Sequence, residues 1–422
     1  MIKKFSCQNF RNIHADELTF EKINILIGPN NSGKSNFIKA LTFYSEMVQK
    51  ASHGSLKTAF LNAAARNGWE HALNKYADDF ETIDFSWDIV LGNEPVRYKF
   101  SYAVGQDLKD CNIALEELTS AGVEHSMDGL KPYNYFVCHK AKLGMGEVST
   151  ATTKGKKNHR VRFELDSQEI LAMQFKDILL KNKAIYSSES VRVDIAQLLY
   201  ELGDFFEGFR VYSSAQFDTT KMREPVPAKS LDSILNADAD NFVNVYNRHK
   251  GENVLWAQRF MERMKELISN LQWMDSVNAY DKLVFKMIVD NQQYDLSDVS
   301  EGTLKALVLN MLINAPADKR HSLLAIDEPE SNLHPAWQKV VGNWIQTTNS
   351  YEQCFVSTHS PDFLDVFTEE FKRGKVAVFV FDNGGTPLVK KIKYGDIADE
   401  LGEWELGDLY RTSDPALGGW PW

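Results

Sequence analysis

At 422 residues the chain is long for one core, and two or three lobes are expected. Hydrophobic residues at 43% and charged residues at 25% are those of a globular protein, and a net charge of −11 argues against a large polyanion-binding footprint, leaving open only a local basic groove for nucleic acid. Four scattered cysteines (Cys7, Cys111, Cys138, Cys354), no run of about 18 apolar residues and no apolar core in MIKKFSCQNF set the expectations of no cysteine metal site, no membrane span, no signal peptide and a cytoplasmic protein.

The chain opens with alternating Phe5, Cys7 and Phe10, a strand pattern, and KINILI (22–27) reads as a buried strand. GPNNSGKS (28–35) follows, with the G-x-x-x-x-G-K-S spacing of a phosphate-binding P-loop. NFIKALTFYSEMV then places Phe37, Leu41, Tyr44 and Val48 at helical spacing. Gly28 and Gly33 let the backbone approach a phosphate with no side chain in the way. The amides of Asn30, Asn31, Ser32 and Gly33 and the helix N-terminus then cradle anionic oxygens. Lys34 supplies charge to the β/γ-phosphates of ATP, and the Ser35 hydroxyl is placed for Mg²⁺.

Residues 51–77 read as helix, and from about 80 to 165 the texture becomes antiparallel β. IDFSWDIVL, VRYKFSYAV, YNYFVC and RVRFELD alternate apolar with polar residues, while 143–159 is small and polar and reads as a mobile loop. ILAMQFKDILL and 191–209 are helical by pattern, RVYSS (210–214) is a short strand, and MREPVPAKS (222–230) is a loop. Residues 231–272 read as helical with a break near Gly251, and DKLVFKMIVD as a strand. A polar-to-apolar helix starts near Ser300, followed by the strand HSLLAIDEPE, a helix in SNLHPAWQKVVGNWIQTT and the strand QCFVSTHS. KVAVFVF and PLVKKI resemble a hairpin across DNGGT. The tail is helical and then irregular.

Three pieces complete a nucleotide site. The apolar run Leu323–Ile326 delivers Asp327 to a buried strand tip, where doubly wound sheets bind ligands and where a carboxylate can hold Mg²⁺. Glu328 follows, positioned to orient or deprotonate water. His359 ends another apolar strand and can donate to a γ-phosphate. Ser300 and Gly302 open a helix whose N-terminus suits an anion. The first site already has its P-loop, so this helix is expected to serve a second subunit; the alternative is an ordinary N-cap, Ser300 with Thr303.

Together these residues resemble the ATP-binding-cassette ATPases. GPNNSGKS resembles Walker A, SEGTLK the signature, LLAIDEPE Walker B, SNLHP the D-loop and STHSPDFLD the switch-histidine segment. Order and spacing resemble the structural-maintenance, RecF and Rad50 branch, and FSCQNFRNI its first strand, which implies Arg11 and Asn12 near the nucleotide. FRVYSSAQFDTTKMREP, LNADADNFVNVYNRH and ELGDLYR resemble stand-alone relatives of the OLD family found in bacterial anti-phage systems. The signature departs from the usual S-G-G-Q at Glu301 and Thr303, which implies slow hydrolysis or a shifted dimer. Sustained heptads are lacking, which excludes long coiled-coil arms. Asp382 has no Asp-x-Asp partner and reads as a turn residue, so no TOPRIM nuclease is expected. Gln216 is the candidate Q-loop residue toward the metal.

The resemblance implies an α/β P-loop NTPase head with a mixed, largely parallel sheet, an inserted antiparallel β region and a helical lobe. Residues 1–50 and 281–395 would form the head, 51–210 the insertion, 211–280 the lobe and 396–422 the tail. It implies ATP and Mg²⁺, a homodimer or higher oligomer with ATP sandwiched between copies, a separate effector and no membrane partner. The alternatives are a RecF-like DNA clamp and a nucleotide-locked scaffold. KGKKNHR (154–160) reads as a solvated loop, and Trp420 and Trp422 as an interface candidate.

Overall fold

The computed structural model describes the chain except residues 54–55, 78–80, 123, 127–128, 133, 140–144, 150–159, 165–167, 169, 171–193, 229–231, 317–320, 382–388 and 419–422. ILAMQFKDILL beyond Ile170, the stretch 154–159, Asp382, Trp420 and Trp422 therefore lie outside the described residues. Contacts divide the chain into two units that do not follow chain order: Met1–Glu21, Pro29–Phe209 and Phe381–Lys391 form one, and Lys22–Gly28, Arg210–Val380 and Ile392–Trp422 the other.

The first unit begins with β1 (Ile2–Phe10) and β2 (Ile13–Thr19). The chain then leaves it for β3 (Ile23–Ile27) and returns with α1 (Lys34–His53) and α2 (Leu56–Arg66). The long strands β4 (Thr82–Leu91), β5 (Glu94–Ala103) and β6 (Asn112–Ser120) follow, then a small ribbon of β7 (Glu124–Ser126) and β8 (Gly129–Lys131). After these come β9 (Asn134–His139), β10 (Met145–Ser149), β11 (Arg160–Glu164) and α3 (Asp194–Glu207). One eight-stranded sheet runs β11-β10-β9-β6-β5-β4-β1-β2, and its pairings are antiparallel. The α1 helix lies on an aromatic face of this sheet: Phe43 stacks on Phe85 and Tyr102, Tyr44 meets Tyr98 edge-on, and the Trp87 indole donates to the Leu41 carbonyl at 3.1 Å. Rings in such packing each bury large apolar area, which anchors the helix that starts inside the P-loop.

Two expectations change here. β10 occupies part of the stretch read as a mobile loop; its backbone finds partners in β9 and β11, which a small polar composition does not announce. β6 lies within the stretch 80–165 read as antiparallel β but is not among its named strands, since an acid at position 116 interrupts the apolar alternation. Glu116 is fully buried and accepts from the Tyr98 hydroxyl at 2.8 Å.

The second unit begins with β3 and resumes with β12 (Phe209–Ser213), whose first residue is counted with the first unit, and β13 (Val226–Pro227). It continues through α4 (Phe242–Glu252), α5 (Val254–Lys265), β14 (Leu271–Ala279), β15 (Lys282–Val289) and β16 (Gln292–Asp295). Next are α6 (Glu301–Ile313), β17 (Leu323–Asp327), α7 (Pro335–Thr347), β18 (Gln353–Thr358), α8 (Pro361–Asp365), β19 (Val376–Phe381) and, near the end, α9 (Leu406–Arg411). The stretch 231–272 is not helical throughout: α4 and α5 meet at Asn253, whose side chain caps α5, and Leu271 already belongs to a strand. In the loop 222–230, Val226 and Pro227 pair with β15.

Five strands of the second unit's main sheet run β12-β17-β18-β3-β19. β17, β18, β3 and β19 pair in parallel, and the residues of β3 and β18 are buried on both faces, as sheets covered by helices require. Their register matters for function. Asp327 sits opposite Ser357, Ser357 opposite Leu26, and Thr358 opposite Ile27. The carboxyl ends of three adjacent strands thus finish on one edge.

Candidate nucleotide site

In the first unit the loop has the backbone of an anion cradle. Asn31 and Gly33 have φ of 64° and 106°, and the Ser32 N–H reaches the Pro29 carbonyl at 3.3 Å. The Phe37 N–H then bonds Gly33 O at 2.8 Å, the first α-helical bond. Lys34 is buried and folds back so that Nζ donates to Pro29 O at 3.0 Å, which holds the ammonium over the loop. Asn30, Asn31 and Ser35 are exposed. Among the described residues the buried Ser32 hydroxyl has no hydrogen-bond partner, an orphan that a bound oxyanion would satisfy. A Cβ on Gly33 would lie 2.9 Å from Asn12 Nδ2.

Arg11 and Asn12 are tied to this loop by Asn36, a residue the motif reading passed over. Arg11 donates to Asn36 Oδ1 at 2.9 Å and to the Asn67 carbonyl at 2.5 Å, and Asn36 Nδ2 donates to Asn12 Oδ1 at 2.7 Å. Arg11 and Asn12 are therefore engaged in holding the start of α1.

In the second unit, β3 ends at Gly28, φ 153°, the first residue of the motif. Asp327 and Glu328 stand two strands away on the same edge. The Ser357 hydroxyl donates to Asp327 Oδ1, and the Glu328 N–H reaches Ser357 Oγ at 3.1 Å and Ser357 O at 3.2 Å. Glu328 has φ of 51°, a conformation uncommon for a residue with a Cβ, and the two hydrogen bonds from its N–H to Ser357 offset it. Its Oε1 lies 3.2 Å from His359 Nε2. Asp327, Glu328 and His359 are thus brought together.

Ser300 caps α6: its Oγ accepts from the Thr303 N–H at 3.2 Å and lies 3.0 Å from Thr303 Oγ1. Beside it, Asn332 Nδ2 donates to Glu301 Oε1 at 2.8 Å, and a Cβ on Gly302 would come 3.0 Å from Asn332 O. The start of α6 and the turn after β17 are in contact within one chain. Gln216 ends a 3₁₀ turn after β12 and is exposed.

Glu330, Ser357, Asn332 and Asn36 escaped the motif reading. The acid repeated in DEPE was the one available signal for Glu330. Among the described residues no group of three or more His, Cys, Asp or Glu could hold a metal ion by itself. Hard cations such as Mg²⁺ take oxygen ligands, and Asp327 offers a carboxylate of that kind at the strand tip. The positive-φ loop and the Ser32 orphan fit a polyphosphate.

A strand, glycine loop and helix, with acids at the tips of neighbouring parallel strands, define a P-loop NTPase. Residues 1–364 match the family model AAA_15, AAA ATPase domain, and the chain belongs to that family. A curated relative from Vibrio cholerae serotype O1 biovar El Tor, the "Retron Vc95 probable ATPase", is 27% identical over 140 residues; the match spans 30% of this chain and 27% of the relative. Two solved structures are similar at 12% identity. One is the SMC head domain from Thermotoga maritima, TM-score 0.41, covering 93% of this chain and 99% of that one. The other is the SmcHead bound to the C-winged helix domain of ScpA, TM-score 0.49, covering 94% and 99%. Among the described residues no helix is long and apolar enough to cross a membrane.

Proposed function

We propose that this protein binds and hydrolyses ATP with Mg²⁺ and works as a nucleotide-dependent switch in the cytoplasm. The observation that carries the reading is the shared edge: Gly28, Asp327 and the Glu328–His359 pair finish three adjacent parallel strands. Asn30 to Gly33 offer backbone N–H groups, Lys34 a charge, and Ser35 with Asp327 the protein ligands to Mg²⁺; Gln216 is a further candidate ligand. Bound Mg²⁺ neutralises charge on the phosphate oxygens. Glu328 orients water and accepts its proton, and His359 holds the Glu328 carboxylate and donates toward the phosphate.

Ser300 and Gly302 sit at a helix start with no P-loop of their own to serve. We therefore read the working form as two copies with ATP sandwiched between them. The retron relative supports a place in bacterial anti-phage defence, where a separate effector of the kind used by OLD-type systems reads the state of the dimer. Purified full-length protein with Mg²⁺ and ATP tests this. Glu328→Gln should bind ATP and accumulate a dimer by light scattering, and Lys34→Ala should do neither. Absence of both binding and turnover in the wild type would sink the reading.

A further inference from the structure

Glu330 is an acid at the same edge that the reaction outlined above does not use. It is buried, with 8% exposure, whereas Asp327 and Glu328 are half-buried. Its Oε1 accepts from Thr358 Oγ1 at 2.8 Å and from the His359 backbone N–H at 2.7 Å. The Thr358 hydroxyl in turn accepts from the Ser360 N–H at 3.0 Å, and the Ser360 hydroxyl caps α8 at the Phe363 N–H. One carboxylate oxygen therefore fixes three consecutive residues around the histidine. Oε2 is buried and has no hydrogen-bond partner among the described residues. Among the described residues the titratable groups that act on Glu330 are Glu328 and, from α9, Tyr410, whose hydroxyl also faces the Gly28 N–H, while His359 meets Glu330 through its backbone N–H.

A loop that needed only packing would be served by an apolar side chain, because an unsatisfied buried oxygen is costly. Retaining an acceptor here has a geometric result: the main chain at 358–360 is held while the imidazole projects to Glu328. We propose that Glu330 is the positioning residue for His359 and acts on hydrolysis only through it. The proposal rests on the reading of His359 as a participant in ATP hydrolysis.

The test is steady-state Mg²⁺-ATP hydrolysis by the full chain carrying His359→Ala, Glu330→Ala, Glu330→Gln and the double Ala variant. His359→Ala should lower kcat by about a hundredfold. Glu330→Ala should lower kcat by about tenfold with KM little changed, and Glu330→Gln, which keeps an acceptor oxygen, should restore most of it. The double variant should turn over no more slowly than His359→Ala. Equal fractional losses from Glu330→Ala with and without His359, or a Gln variant as slow as Ala, would overturn the proposal. If His359→Ala retains full kcat, the reading of the histidine fails first and the proposal with it. Where the Ala variant does not fold, Glu330→Asp against Glu330→Gln carries the comparison: Asp withdraws the acceptor by a methylene and should lose turnover that Gln keeps, and the reverse order overturns the assignment.

Discussion

Glu328 and His359 face each other across 3.2 Å, Oε1 to Nε2, although they come from the ends of different strands. The carboxylate that would accept a proton from water is thus already held by the imidazole on one oxygen. Its other oxygen lies 3.5 Å from Ser331 Oγ, a weak restraint at most.

Replacing Glu328 by Gln keeps the shape and removes the base. Turnover should fall by about a hundredfold or more while ATP affinity stays within about threefold. Phosphate release and equilibrium binding of a fluorescent ATP analogue separate the two quantities. A Gln variant that releases phosphate at the wild-type rate would remove Glu328 from the reaction.

Ser357 serves both acids at once, donating to Asp327 and accepting from the Glu328 N–H. Ser357→Ala leaves Asp327 without that donor and weakens the support of a positive-φ residue. A stability loss of about 1–2 kcal/mol is expected. The Mg²⁺ concentration needed for half-maximal ATP binding should rise by about tenfold, since a wandering carboxylate is a poorer ligand. Denaturant melts and a Mg²⁺ titration read the two effects, and an unchanged titration would mean that Asp327 does not depend on Ser357.

Gly33 has φ of 106°, and a Cβ there would stand 2.9 Å from Asn12 Nδ2 and 3.0 Å from Ile13 Cδ1. Gly33→Ala therefore combines backbone strain with a steric clash, at a cost of about 2 kcal/mol or more. Loss of ATP binding should exceed what the melting temperature alone explains, because the cradle itself is distorted. Isothermal titration beside a thermal melt checks this; full binding by the variant would show that Asn12 yields.

Burial pushes the Glu330 carboxyl up to about 7, against the hydrogen bonds from His359 and Thr358, which favour its charged form. Below the ordinary carboxyl value both folded and unfolded chains carry the proton, and no stability difference arises. Between about 4.5 and 7 the folded state keeps a proton that the unfolded state has lost, so stability falls as pH rises through this window and levels off above it. Such a shift corresponds to on the order of 3 kcal/mol. Glu330→Gln lacks this slope, so its stability relative to wild type should grow from pH 5 to pH 8. Parallel melts across that range check it; a constant difference would mean that the carboxyl stays charged throughout.

Much of this was legible in the chain because certain residues leave little choice. Gly28, Gly33 and Lys34 mark a loop by spacing alone, and four apolar residues running into Asp327 mark a buried strand with an acidic tip. Other elements were hidden where a buried position carries a polar residue that is satisfied from far away. Glu116 breaks the alternation of β6, yet it is paired with Tyr98 on the neighbouring strand. At the start of β14, Leu271 and Gln272 read as the end of a helix until β15 supplies the strand's partners. Glu330 looks like one more acid of a surface turn; its burial comes from a strand ending 28 residues later. Pairing of this kind depends on tertiary contacts, which local pattern does not encode.

The chain visits the second unit for Lys22–Gly28 and then departs until residue 210. In that visit it lays down β3, whose two neighbours, β18 and β19, lie near the far end of the sequence; Asn24 donates to the Cys354 carbonyl across 330 positions. During synthesis on the ribosome, INILI emerges among the earliest residues and stays without its partners until most of the polypeptide has been made. For that interval it is a short, uncharged, β-prone segment of the kind that invites association with other nascent chains. Loop-closure entropy makes this strand insertion a slow, late event. A fragment beginning at residue 210 would lack an interior strand of its main sheet, leaving the facing edges of β18 and β19 for a peptide carrying β3 to fill.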